Sequence, residues 1–154
     1  FSVSDKENNN MYLDPTNDVA FRRIFGNENK KEILISFLNS ILQLEGQKRI
    51  ESIEILNPYQ VPKLKELKET ILDVSCRDKR GISYIVEMQI LKPTVFEKRV
   101  LYYTSKAYVS QLDKGQDYPA LNQVIFLGIL YFDMFENSNY ISNHLILDKE
   151  VEKK

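Results

Sequence analysis

One predicted β-hairpin constrains the fold of this chain more than any other feature. Two β-rich runs, 71–78 and 82–89, flank a loop at 79–81 whose sequence is Lys-Arg-Gly. A three-residue loop with glycine in the left-handed third position is a standard connection between antiparallel strands. This loop pairs Asp78 with Ile82 and thereby fixes which residues face each other along the whole hairpin.

Asp73 and Glu87 are the acidic residues that this register places directly opposite each other. The β-carbons of opposed residues lie about 4.5–5.5 Å apart, and like charges at that separation destabilise a sheet. A divalent cation that binds both carboxylates removes this penalty, and without one we expect at least one carboxyl to have a raised pKa. Gln89 shares the face of Glu87 because it lies two residues further along the strand.

A solvated sheet face is the alternative explanation of the two carboxylates. The opposite face of the hairpin is apolar and consists of Leu72, Val74, Cys76, Val86, Met88 and Ile90. An antiparallel sheet commonly buries one face and exposes the other to water. The direct opposition of two like charges nevertheless favours a metal site over this alternative.

The order of Asp73 and then Glu87-Met88-Gln89 after a hairpin resembles the PD-(D/E)XK nuclease pattern, with Gln89 at the usual lysine position. Two flanking segments narrow the resemblance to the Rpn family of recombination-promoting nucleases, which are also described as PD-(D/E)XK nuclease family transposases. The segments are 17–26, and 99–103 followed by Tyr108, Gln111, Leu112, Gly115 and Tyr118. The similarity spans about 13–148, which is almost the whole chain.

The resemblance implies an α/β fold with a restriction-endonuclease-like core, in which helices flank a mixed β-sheet in the order α-β-β-β-α-β. It also implies a DNA endonuclease that hydrolyses phosphodiester bonds with Mg²⁺ or Mn²⁺, cations that prefer oxygen ligands. In the family pattern, Asp73, Glu87 and the backbone carbonyl of Met88 hold the cation, and Gln89 orients the attacking water. Because Gln89 is uncharged, the source of the positive charge that the usual lysine supplies stays open.

Four further residues are candidates for this site. Lys106 is the first candidate for the missing positive charge and Arg99 the second, and both are expected to contact DNA, although a surface position would explain either residue. Arg22 is a candidate for a phosphate contact. Asp18 lies at a predicted helix start, where aspartate commonly caps the helix, and the resemblance adds a role as an extra acidic group near the metal.

Periodicity and turn residues predict the remaining elements. Before the hairpin these are a helix that starts at 15–18 and ends at Gly26, a helix capped by Asn29 with an apolar stripe over 33–42, a strand over 50–56 and a loop over 61–69. After the hairpin, a helix follows Pro93 with an apolar stripe at Phe96, Val100, Tyr103 and Ala107. The chain then forms a central buried strand over 123–132 and an outer strand over 140–147.

Composition is that of a single globular domain with ordinary shares of apolar and charged residues, over 154 residues. Net charge is −1, which gives no global signal for nucleic acid, but 92–115 holds five basic and two acidic residues. The single cysteine suits a reducing compartment, and with no signal-peptide core and no apolar run of membrane-spanning length we expect a cytoplasmic protein.

The predicted domain covers 11–154, and 1–10 is either a disordered arm or a remnant of an expression tag. The resemblance leaves open that the domain is the N-terminal part of a longer protein, and a homodimer also stays open. His144 is expected to be structural, and Cys76 lies on the apolar face with no pattern that supports a nucleophile.

Two functions remain. The first is a metal-dependent, recombination-promoting DNA endonuclease, which the retention of both Asp73 and Glu87 favours. The second is a catalytically inactive DNA-binding or protein-interaction module that keeps the nuclease fold, which the near-neutral charge and the absence of the usual lysine favour.

Overall fold

The computed structural model describes residues 14, 16–60, 70–92, 94–113, 115–136 and 139–146, and at 18, 59–60 and 70–71 it describes the backbone without the side chain. The segments predicted as an N-terminal arm, 1–10, and as a loop, 61–69, lie outside the described residues. The described elements are the helices α1 (Asp18–Phe25), α2 (Lys31–Ile41) and α3 (Phe96–Val109), and the strands β1 (Ile53–Ile55), β2 (Tyr59–Gln60), β3 (Thr70–Ile71), β4 (Val74–Asp78), β5 (Ser83–Gln89) and β6 (Val124–Leu130).

Four of these strands form one mixed sheet in the order β1-β4-β5-β6. Strands β1, β4 and β5 are antiparallel neighbours, whereas β6 runs parallel to β5. A parallel pair needs a crossover connection, and α3 lies in the connection between β5 and β6. The predicted α/β class with a mixed sheet flanked by helices is therefore confirmed, and β2 and β3 add a separate two-stranded ladder.

The β4–β5 hairpin has the predicted register. Gly81 has a φ of 86°, the left-handed conformation that the three-residue loop requires. The Asp78 N–H donates to the Ile82 carbonyl at 3.0 Å, and Val74 pairs with Val86 at the other end of the ladder. Because Asp73 comes directly before Val74, and Glu87 directly after Val86, the two carboxylates arrive at the same end of the hairpin.

The sheet is covered on both faces. On one face, residues of α1, α2, β1, β4 and β5 form the hydrophobic core, which includes Phe21, Leu34, Leu38, Ile50, Ile53, Val74, Cys76, Tyr84 and Val86. On the other face, Phe96 of α3 packs against Phe126 of β6 with ring centroids 6.3 Å apart. Ile85 is consequently as deeply buried as its neighbour Val86, and the face that carries Glu87 does not open directly to water.

Two predictions about strands were wrong. The strand over 123–132 is half-buried, and within the described part of the chain it pairs with β5 on one side, so it is an edge strand rather than a central one. Residues 140–146 form no strand, and Tyr140 is fully exposed; residue 147 lies outside the description. A run of apolar residues indicates a preference for burial, but it does not provide a neighbouring strand with which to pair.

The predicted cap at Asn29 was also wrong. The side chain of Asn27 accepts from the Asn29 N–H at 2.9 Å and starts a short 3₁₀ turn, and α2 then begins at Lys31 without a side-chain cap. The predicted strand over 50–56 is shorter than expected, at Ile53–Ile55. Among the described helices, none combines the length and the apolar character that a membrane crossing requires.

Candidate active site

Asp73 lies directly before β4, and both of its carboxylate oxygens accept hydrogen bonds. Oδ1 accepts from Nε and Nη2 of Arg22 at 2.9 and 2.8 Å, and Oδ2 accepts from the backbone N–H of Met88 at 2.9 Å. Arg22 lies in the last turn of α1, whose N-terminus is capped by the Asn17 side chain. The ion pair joins a buried carboxylate to a half-exposed guanidinium, with side-chain exposures of 7% and 47%.

Glu87 is 3% exposed and is less completely neutralised than Asp73. Its Oε1 accepts from the Asp73 N–H at 3.0 Å, and its Oε2 faces Nη2 of Arg99 at 3.5 Å, the outer limit of a hydrogen bond. Burial and, secondly, the charge of Asp73 raise the pKa of Glu87 to about 7, although the Asp73 N–H and both arginines oppose the rise. The predicted raised pKa of one carboxyl is confirmed.

The local backbone explains why these carboxylates meet. The Leu72 N–H donates to the Pro58 carbonyl at 2.9 Å, so the chain leaves the β4–β5 ladder just before Asp73. The N–H groups of Asp73 and Met88 then lack strand partners, and each donates to a carboxylate across the hairpin instead. Buried N–H groups need acceptors, and here the two acidic side chains take the place of one rung of the ladder.

Arg99 lies on the first turns of α3 and contacts Glu87, whereas Arg22 contacts Asp73. Its Nη1 approaches Oε1 of Gln89 at 3.4 Å, close to the contact that Nη2 makes with Glu87. Its guanidinium carbon is 5.3 Å from the centroid of the Tyr103 ring, a cation–π distance. The buried Nε has no hydrogen-bond partner among the described atoms, so Arg99 retains unused donor capacity beside Glu87 and Gln89.

Lys106, the first sequence candidate for the missing positive charge, lies about two turns further along α3. Its ammonium is 5.8 Å from the centroid of the Tyr102 ring. The described contacts bring Arg99, and not Lys106, to Glu87 and Gln89. The second sequence candidate is therefore the better placed of the two.

Asp18 is the first residue of α1, but its side chain is outside the description. Oδ1 of Asn17 accepts from the N–H groups of Val19 and Ala20, so the N-cap is Asn17, and Asp18 follows it in the first turn, where a negative charge favours the helix dipole. A metal-site role for Asp18 stays a prediction. In the described part of the chain, no three His, Cys, Asp or Glu residues come together, which leaves Asp73 and Glu87 as the acidic pair.

A divalent cation that prefers oxygen ligands fits this pair. Glu87 combines burial, a carboxylate neighbour and a weakly held Oε2, and a cation would supply the charge that its surroundings lack. The Met88 N–H points at Asp73, and in a β-strand the carbonyl of a residue faces the same neighbour as its N–H. Asp73, Glu87 and the Met88 carbonyl thus form an oxygen donor set that suits Mg²⁺ or Mn²⁺.

Two other candidates of the sequence are structural, as expected. The Cys76 thiol is fully buried, and its pKa is raised to about 12 by that burial and by the charge of Asp78, so it does not form a nucleophilic thiolate near neutral pH. His144 stacks on Phe135 with ring centroids 4.8 Å apart and is exposed.

The sequence did not reveal the ion pair between Arg22 and Asp73, because the two residues are 51 positions apart. Arg22 had been assigned to a DNA phosphate on the strength of the resemblance. No periodicity within α1 indicates that its last turn reaches the start of β4. The exchange of N–H bonds between the carboxylates was equally hidden, since it depends on where the ladder ends.

Comparison with known proteins gives one match. The model of the family described as PD-(D/E)XK nuclease family transposase matches residues 15–154. Neither the curated proteins nor the solved structures include a significant match. The matched range contains every described element and all of the residues assigned to the site.

Proposed function

Because the chain belongs to the PD-(D/E)XK nuclease family transposases, we propose that it is a metal-dependent DNA endonuclease that hydrolyses phosphodiester bonds. The observation that carries the proposal is the buried pair of Asp73 and Glu87 at one end of the hairpin. A sheet that needed these positions only for packing would gain nothing from two opposed carboxylates. The elevated pKa of Glu87 is typical of a functional site in which a charge is held away from water.

Each residue of the site has a distinct part in this reaction. Asp73, Glu87 and the Met88 carbonyl would hold Mg²⁺ or Mn²⁺, and the bound ion would polarise the phosphate and lower the pKa of a water molecule. Gln89 accepts from Arg99 through Oε1, which leaves its amide N–H groups to orient water or a phosphate oxygen. Arg99 supplies the positive charge that lysine supplies in the usual pattern, because it contacts both Glu87 and Gln89.

DNA is the proposed substrate, and the basic residues of α3 and α1 border the site on two sides. Arg22 contacts Asp73 and Arg99 contacts Glu87, each with a partly exposed side chain. Arginine binds phosphate through paired N–H groups, so the two guanidinium groups can bind phosphates of the DNA backbone beside the carboxylate pair. Lys106 extends the basic surface further along α3.

The proposal includes a recombination-promoting, transposase-like role, which membership in a nuclease family of transposases supports, and a cytoplasmic location, which suits both DNA as substrate and the buried, unpaired Cys76. The alternative is an inactive module in which the two arginines simply neutralise the acidic pair. The salt bridge between Arg22 and Asp73 favours this alternative. Binding of DNA without any cleavage would support it.

Relaxation of supercoiled plasmid tests the proposal. The wild type should nick DNA with Mg²⁺ or Mn²⁺ and not with EDTA, and Asp73→Asn and Glu87→Gln should each remove the activity while keeping side-chain volume. Glu54→Gln, which removes an exposed carboxylate from β1, is the matched control and should leave nicking unchanged. Cleavage that persists in both site variants, or in EDTA, would contradict the proposal.

A further inference from the structure

The oxygens of Asp73 are already engaged by three donors. Two N–H groups of Arg22 converge on Oδ1, and the Met88 N–H occupies Oδ2. A carboxylate has about four lone-pair sites, so little acceptor capacity is left for a metal ion. A cation at Oδ1 would also lie beside the guanidinium, and like charges at that range repel. Arg22 and a metal ion therefore compete for the same oxygen.

Glu87 differs from Asp73 in this respect. Its Oε2 faces Arg99 at 3.5 Å, whereas Arg22 holds Oδ1 of Asp73 at 2.8 and 2.9 Å. The weaker contact leaves Oε2 accessible to a cation without the loss of a short hydrogen bond. The obstacle to a shared cation therefore lies at Asp73, and it consists of Arg22.

Arg22 is able to turn away from Asp73. Its side chain is 47% exposed, and it projects from the last turn of an eight-residue helix. A DNA phosphate offers the same paired acceptors as a carboxylate, and arginine binds both through parallel N–H groups. A phosphate near the site therefore offers Arg22 an alternative to its contact with Asp73.

We infer that Arg22 is a positioning residue that exchanges between Asp73 and a DNA phosphate, so that divalent cation and DNA bind cooperatively. The inference rests on the proposed function for the identity of the two ligands. A phosphate that binds Arg22 frees Oδ1 for the cation, and a cation at Asp73 frees Arg22 for phosphate. The coupling is reciprocal by thermodynamic necessity: each ligand raises the affinity of the other by the same factor.

The first measurement is Mn²⁺ binding by calorimetry in the absence of DNA. Arg22→Gln should bind Mn²⁺ about tenfold more tightly than the wild type, within the usual range of coupling between two sites. Arg23→Gln is the matched control, because it removes the same charge from the next position of α1, and the described contacts of Arg23 do not include Asp73. Arg23→Gln should change the affinity by less than about twofold, as expected for a screened surface charge.

The second measurement is the effect of cation on DNA affinity, with Ca²⁺, which binds the same kind of oxygen ligands and is a weaker Lewis acid. Ca²⁺ should tighten binding of a short duplex about tenfold for the wild type and for Arg23→Gln. The same addition should leave the affinity of Arg22→Gln almost unchanged. Arg22→Lys should show an intermediate coupling, because an ammonium keeps the charge but not the paired geometry.

Three results would overturn the inference. The first is weaker Mn²⁺ binding by Arg22→Gln than by the wild type. The second is an equal gain in Mn²⁺ affinity over the wild type in Arg22→Gln and Arg23→Gln. The third is an increase in DNA affinity on addition of Ca²⁺ that is as large in Arg22→Gln as in the wild type. Thermal melts in EDTA establish that the variants fold, and Mn²⁺ should raise the melting temperature of Arg22→Gln by more than that of the wild type.

The inference and the proposed function fail separately. Competition between Arg22 and Mn²⁺ in a chain that does not cut DNA would uphold the exchange at Asp73 and remove the proposed hydrolysis. If the chain cuts DNA but Arg22→Gln and Arg23→Gln behave alike in every binding measurement, the proposed hydrolysis is upheld and the exchange at Asp73 is ruled out.

Discussion

The two ends of the β4–β5 hairpin each bury a carboxylate beside an arginine, yet they are built differently. At the loop end, Oδ1 of Asp78 accepts from the N–H groups of Arg80 and Ile82, and Oδ2 accepts from the Arg80 side chain and from the Tyr84 hydroxyl. Every donor lies within six residues of Asp78. At the other end, the Asp73–Glu87 pair depends on α1 and α3 for its arginines.

The comparison shows how a satisfied carboxylate differs from one available for chemistry. Asp78 stands without a second carboxylate and is surrounded by donors from its own turn, so its role is to close the hairpin. The Tyr84 hydroxyl has a pKa raised to about 12, first by burial and then by the charge of Asp78, and so it stays a donor. Glu87 instead accepts one short hydrogen bond, from the Asp73 N–H, and its carboxyl has a raised pKa.

Isosteric substitutions at the two ends should separate activity from stability most strongly. Glu87→Gln should lower nicking by more than the roughly 10–100-fold that loss of an outer-shell partner costs, while the melting temperature of the metal-free protein at neutral pH should not fall below that of the wild type. Asp78→Asn should retain metal-dependent nicking below its unfolding temperature but lose about 1–3 kcal/mol of stability, because an amide nitrogen replaces one of the buried carboxylate oxygens that accept from Arg80 and Tyr84.

Plasmid nicking and chemical denaturation of both variants check this prediction. Loss of nicking in Asp78→Asn at a temperature where that variant is folded would remove the distinction between the two ends.

Removal of the arginine of α3 should have the next largest effect. Arg99→Ala should lower the nicking rate about 10–100-fold, since it removes the charge that contacts Glu87 and Gln89. Gln89→Lys should restore part of the rate in that variant, because the ammonium places charge where the transition state develops it. Lys106→Ala is the matched control on the same helix, and an equal loss there would return the role to Lys106.

The pH dependence of stability should distinguish the ends as well. The pKa of Glu87 rises from 4.5 to about 7 in the folded protein, so the folded state binds the proton more tightly. The contribution is fully present below pH 4.5 and is lost as the pH rises through about 7, a change of about 3 kcal/mol. Denaturation curves in EDTA between pH 4 and 8 should show this decline in the wild type.

Glu87→Gln isolates the contribution of that one carboxyl. The difference in stability between Glu87→Gln and the wild type should widen with rising pH over the same interval, and saturating Mn²⁺ should reduce the decline in the wild type. A pH-independent difference would show that Glu87 has the same pKa in the folded and unfolded states.

The smallest effect is expected at the loop. Gly81 has a φ of 86°, and an added β-carbon would come within 2.7 Å of the Asn122 side chain amide. Gly81→Ala should therefore cost about 1–2 kcal/mol through the left-handed backbone. Its Mn²⁺ affinity should stay within about twofold of the wild type, as measured by calorimetry, since the acidic pair lies at the far end of the hairpin. A larger change in affinity would show that the two ends are coupled.

The sequence predicted the hairpin end to end because a short loop with one obligatory glycine fixes register locally. The opposition of Asp73 and Glu87 followed from that register without any tertiary information. The burial of this pair did not follow, because it depends on α3 crossing over the sheet face that carries Glu87. The sheet face that carries the two carboxylates is therefore buried, and the alternative explanation of a solvated face does not hold.

The sequence could not predict contacts between residues far apart in the chain, or which strand lies at the edge of the sheet. The contact of Arg22 with Asp73 spans 51 residues, and nothing in the pattern of α1 indicates it. The run Val124–Leu130 is apolar enough for a central strand, yet among the described strands it lies at the edge of the sheet, where Phe96 of α3 packs against its Phe126. Local pattern fixes which residues prefer the interior, and topology decides what covers them.

The sequence separation of the contacts at Asp73 has a consequence for how the chain folds. The hydrogen bond from Asp73 to Glu87 spans 14 residues and belongs to one hairpin, whereas the Arg22 contact spans 51. Local contacts close before distant ones because their loops cost less entropy. The two carboxylates therefore come together before α1 delivers its guanidinium, and electrostatic repulsion between them is greatest midway through folding rather than at either end of it.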